Sequence, residues 1–66
     1  MLLKFTDAIA KTTVAINPQY VVAVFTAKEE EVKNKTVILM QNSNIVVDDD
    51  FLEVVGQIEG ALCQWF

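Results

Sequence analysis

The chain has 66 residues, carrying five lysines against nine acids for a net charge of −4, with no arginine and no histidine. That length fits one domain, whose core buries only roughly 60% of the surface an unfolded chain exposes. A single cysteine, Cys63, excludes an internal disulfide, and no Cys/His cluster is present to hold a structural metal.

Leu2 to Thr6 alternates, with Leu3 and Phe5 on one side and Lys4 and Thr6 on the other, which predicts a half-buried strand. Asp7 to Lys11 reads as a connection, and Thr12 to Ile16 resumes the alternation with Val14 and Ile16 facing inward. Asn17-Pro18 is a turn signal, because proline fixes φ and pushes the residue before it out of the helical region. Tyr20 to Thr26 is apolar on both faces, as expected of a central strand or one bent between packed layers. Lys28 to Lys35 is a charged connection around Val32, followed by a β-branched fourth strand over Thr36 to Met40. Asn42-Ser43-Asn44 is a polar hairpin signal, and Ile45-Val46-Val47 is the fifth strand.

A helix is predicted over 51–66. Asp50 is a suitable N-cap, Glu53 three residues later completes a capping box, and Asp48 and Asp49 add charge beside the positive end of the helix dipole. Phe51, Val55, Ile58, Leu62 and Trp65 form one apolar stripe, which Val54, Ala61 and Phe66 widen. No internal repeat, linker or low-complexity tract interrupts the chain.

Hydrophobic residues make up 53% of this small chain. Apolar side chains that one core cannot hold are expected to be covered by further copies, so a homo-oligomer is predicted. A lone thiol suits a reducing compartment. Charges at Lys4 and Asp7 come too early for a signal-peptide hydrophobic region. No apolar run approaches the roughly 20 residues that span a bilayer. The expectation is a cytoplasmic protein with no membrane contact.

Catalytic chemistry has little to draw on. Cys63 has no histidine to activate it, and both glycines, Gly56 and Gly60, fall in the predicted helix, so no phosphate-cradling loop exists. The Asp48-Asp49-Asp50 run lacks the glycine-containing loop of a calcium site and is explained by helix capping. The sequence predicts neither an enzyme nor a cofactor. What remains are uncharged hydrogen-bonding residues in two short turns, Asn17 and Gln19 in one and Asn42, Ser43 and Asn44 in the other. Such residues ordinarily only form turns, and a functional role depends on the two turns converging.

Five short strands, brief turns and one long loop between the third and fourth resemble the strand plan of Sm/LSm proteins, in particular small Sm-like proteins of marine cyanophage type. That resemblance implies a mainly β, Sm-like five-stranded, strongly bent small barrel spanning residues 1–66, here with its amphipathic helix last rather than first. It implies a homo-oligomeric ring of about five to seven subunits closed by cyclic symmetry. In such rings the fourth and fifth strands of adjacent subunits pair, here Thr36–Met40 with Ile45–Val47. The turns that line the ring pore correspond to Asn17-Pro18-Gln19 and Asn42-Ser43-Asn44, which implies binding of single-stranded RNA or DNA by Asn17, Gln19, Asn42, Ser43 and Asn44. The chain departs from the family at the second turn, which has neither the family's basic residue nor its glycine. Neutral amides supply no phosphate attraction, so Lys28, Lys33 and Lys35 would have to provide it. A fainter likeness, through Ile16-Asn17-Pro18 and the capped helix, is to a short flagellar-operon protein family and adds no function. The absence of arginine favours a different reading, a non-enzymatic protein–protein scaffold or structural oligomer with an acidic helix face.

Overall fold

The computed structural model of the chain describes residues 2–63. Five strands come first: β1 (Leu3–Thr6), β2 (Thr13–Ile16), β3 (Val21–Thr26), β4 (Thr36–Met40) and β5 (Asn44–Val47). The helix α1 (Phe51–Cys63) follows them. Each predicted strand therefore forms within a residue of its expected place. The predicted last turn of the helix, with Trp65 and Phe66, lies outside the described residues.

The expected five-stranded barrel does not form. The strands make two sheets, a β1–β2 hairpin and a β3–β4–β5 meander, and the fold is mixed α and β. The sheets touch where Asp7 bridges Val47. There Ala8 N–H donates to Val46 C=O and Asp48 N–H to Thr6 C=O, both at 2.8 Å.

Two local features explain the difference. Pro18–Tyr20 is a turn of 3-10 helix, capped by the Asn17 carbonyl oxygen of its side chain, which accepts from Gln19 N–H at 3.0 Å. That turn separates β2 from β3, so they do not run on as one bent strand. The second feature is the short connection Gln41–Ser43, closed by Met40 N–H donating to Ser43 C=O at 2.8 Å. Closing so short a loop costs little entropy, so β4 pairs with β5 of its own chain, Thr36 opposite Val47 through Leu39 opposite Asn44. The strand pairing that the resemblance assigned to neighbouring subunits is intramolecular.

The core is Phe5, Ile16, Ile38, Val47, Val54 and Ile58, drawn from both sheets and the helix. Full burial of a side chain such as Ile38 or Val54 contributes about 1.5–3 kcal/mol relative to exposure. The helix lies against β3 and the Pro18–Tyr20 turn. It buries Val54, Ile58 and Ala61, so its apolar stripe is centred one position away from the predicted line through Phe51 and Val55.

The three aspartates have three separate jobs. Asp50 Oδ2 accepts from Leu52 N–H at 3.1 Å and its carbonyl accepts the first helical bond, from Val54 N–H. Asp49 Oδ1 accepts from Thr6 N–H at 3.0 Å, tying β1 to the approach to the helix. Asp48 forms ion pairs with Lys35 at 2.8 Å and Lys11 at 3.5 Å. Only Asp50 caps the helix, and no bond from Glu53 back to the cap is present among the described residues.

Candidate interaction surface

The register brings the two polar turns to one end of the larger sheet. Val21 at the start of β3 pairs with Met40 at the end of β4. The Pro18–Tyr20 turn therefore abuts the Gln41–Ser43 connection. Between them is a cavity of about 360 Å³ lined by Tyr20, Met40, Gln41, Asn42 and Ser43. Of the residues the sequence nominated, Asn42 and Ser43 line this cavity. Asn17 and Gln19 do not line it; the Asn17 side-chain oxygen instead accepts from the backbone N–H of Gln19. Asn44 is exposed at the first position of β5, opposite Leu39. Tyr20, Met40 and Gln41 were not singled out by sequence reading. Tyr20 reads there as a strand residue, and its 55% exposure follows only from the 3-10 turn that ends on it.

No lining residue of this cavity is charged. Of the three lysines expected to attract phosphate, Lys35 is taken up by Asp48. Its hydrogen bond, aided by Lys11, holds the Asp48 carboxyl below its ordinary value despite partial burial, which acts the other way. Asp48 Oδ1 is shut off from solvent and is met by that ammonium as an ion pair at 2.8 Å. Among the described residues no three acidic or thiol groups gather where they could hold a metal ion. No described helix is long and apolar enough to cross a membrane.

The larger feature is β3 itself. It sits at the end of the β3–β4–β5 order, so one side has no strand partner. Ala27 N–H donates to Lys35 C=O at 2.8 Å, in line with the register Phe25–Val37 and Ala23–Leu39. Antiparallel alternation then turns the backbone groups of Phe25 and Ala23 toward β4 and those of Val24 and Thr26 away from it. No other described residue bonds these outward groups.

Strand alternation also sorts the side chains. Val24, Ile38 and Ile45 share the core face, whereas Phe25, Val37 and Val46 lie in a row on the other. On that second face Phe25 is 47% exposed; Val22, the extra residue of a bulge opposite Met40, is 63% exposed. A shallow apolar groove of about 300 Å³ runs between Val21–Val24 and the helix residues Val55, Ile58, Glu59 and Leu62.

No family model, curated protein or solved structure matches this chain. The resemblance to Sm-like proteins thus rests on the sequence plan of the strands, and their pairing differs from that plan.

Proposed function

We propose that the protein is a non-enzymatic, homo-oligomeric interaction domain working in the cytoplasm. The observation that carries this reading is the unpartnered strand β3. Six large hydrophobic side chains are exposed among the described residues, and Tyr20, Val22 and Phe25 fall together on or beside this strand. Single exposed apolar residues are normal, but a cluster along a free strand edge is a surface for association. Val21–Thr26 contains no charge and no proline, two of the features that usually blunt an edge strand, and its only irregularity is the bulge at Val22. The cytoplasmic assignment is supported by Cys63, an exposed free thiol suited to reducing conditions. Sedimentation from low to high micromolar concentration tests the reading. A mass rising to a multiple of the chain mass is expected, and a monomer throughout would contradict it.

A second reading is supported by the Tyr20 cavity. An exposed aromatic ring beside amide and hydroxyl groups suits a base of single-stranded RNA or DNA, by stacking on Tyr20 and hydrogen bonding to Asn42 and Ser43. Loss of one stacking contact costs about 1–3 kcal/mol, so Tyr20→Ala should weaken binding at least several-fold. Filter binding with single-stranded homopolymers at low salt decides. Absence of binding by the wild-type protein removes this reading and leaves the first untouched.

A further inference from the structure

Building on the homo-oligomeric reading, we infer that two copies join through their β3 strands, antiparallel about a two-fold axis at Phe25, with Val24 of each copy opposite Thr26 of the other. The inference starts from the four backbone groups left over on the free edge, the N–H and C=O of Val24 and of Thr26. A strand edge with alternating donors and acceptors is complemented by another strand. The outward residues are two apart on an antiparallel edge, so pairing 24 with 26 satisfies all four groups on both copies at once. A closed, self-complementary contact of this kind also stops at the dimer.

Side-chain chemistry selects the same arrangement. Centring the axis on Phe25 makes it a non-hydrogen-bonded pair with its own copy, the position at which cross-strand side chains approach most closely. Two half-exposed rings then cover one another, and aromatic pairs of this kind are favourable beyond their buried area. Charge raises no obstacle. In this register Lys28 and Glu29 fall opposite Val22 and Val21 of the other copy, so no charge meets a like charge. A partner strand drawn from elsewhere in the chain is less suited: β2 has only four residues, of which Thr13 and Ala15 are exposed and small. The product is one continuous sheet in the order β5–β4–β3 followed by β3–β4–β5 of the second copy.

The test uses the full chain with Cys63→Ser, so that no native thiol interferes. Opposed residues of a non-hydrogen-bonded pair lie about 4.5 Å apart at Cα, inside the disulfide range of about 4.4–6.8 Å. Phe25→Cys under oxidised glutathione should therefore give a covalent dimer from most chains, whereas Thr13→Cys should stay monomeric. Thr26→Pro removes an outward N–H at an exposed residue without touching a bond to β4, and should shift the sedimenting species from dimer to monomer with an unchanged circular dichroism spectrum. An oligomeric wild type in which Phe25→Cys fails to link would overturn the β3 pairing while leaving the oligomeric reading intact. Linking only when Phe25→Cys and Thr13→Cys chains are mixed would overturn it in favour of head-to-tail contacts. A wild type that is monomeric at every concentration would remove both.

Discussion

Thr36 is fully buried in β4, and its hydroxyl donates to the Asp49 carbonyl at 2.8 Å. That one bond joins the central strand of the larger sheet to the segment leading into the helix. Thr36→Val keeps the shape and removes the donor. Removing the donor leaves the Asp49 carbonyl unpaired, which costs about 1–3 kcal/mol in desolvation. The methyl that replaces the hydroxyl returns about 0.8 kcal/mol by burial. The balance, taken from the middle of that range, is a loss of about 1 kcal/mol, and each kcal/mol lowers the melting temperature of a domain this size by about 4–8 °C. Urea unfolding of wild type, Thr36→Val and Thr36→Ser, at one fixed protein concentration, separates the terms. Thr36→Ser keeps the bond and loses only a methyl, so it should be the milder change. A Thr36→Val protein as stable as wild type would refute the reasoning and show that the Asp49 carbonyl needs no partner.

Two further outcomes follow from the aspartate run. Asp50→Ala should destabilise by about 1 kcal/mol, the usual loss of a helix cap; thermal melts that show no change would mean that Asp50 does not anchor α1. Asp48 bears on acid stability. Its carboxyl is held below the ordinary value of 3.8 in the folded state, so its contribution is fully present above that pH and is lost as pH falls through the lower folded value. Asp48→Asn should accordingly flatten the fall in stability on the acid side of 3.8, and an unchanged acid limb in pH-dependent denaturation would argue against the Lys35 pairing.

The elements of this fold were legible because each carries its own local signal. Alternation at Leu3–Phe5 and Val14–Ile16 marked two strands, and Asp50 marked the start of the helix to the residue. Pairing was less accessible, since it depends on what a turn does in three dimensions. Asn17-Pro18 is a turn signal and a turn forms there, but its 3-10 geometry and the Asn17 side-chain cap, which set how β2 and β3 lie relative to one another, have no separate mark in the sequence. The lack of such a mark hid the exposure of Tyr20 and the free edge of β3, whose doubly apolar sequence suggests a central strand rather than an edge. Of the nominated site, Asn42 and Ser43 reached the cavity because the hairpin signal was local. Asn17 and Gln19 bonded to each other instead, a competition between side chain and backbone that composition does not show. The roles of Asp48 and Asp49 depend on Lys35 and Thr6, partners distant in sequence.

The free edge of β3 is the centre of this account, and the amides of Val24 and Thr26 report on it directly. Hydrogen exchange resolved by residue, measured on the wild-type chain across a range of concentrations, compares them with the Phe25 amide, which faces β4. If copies join along this edge, Val24 and Thr26 exchange rapidly in dilute solution and become protected together as concentration rises, while Phe25 is protected throughout. Exchange at Val24 and Thr26 that stays rapid at concentrations where the protein sediments as an oligomer would contradict the account.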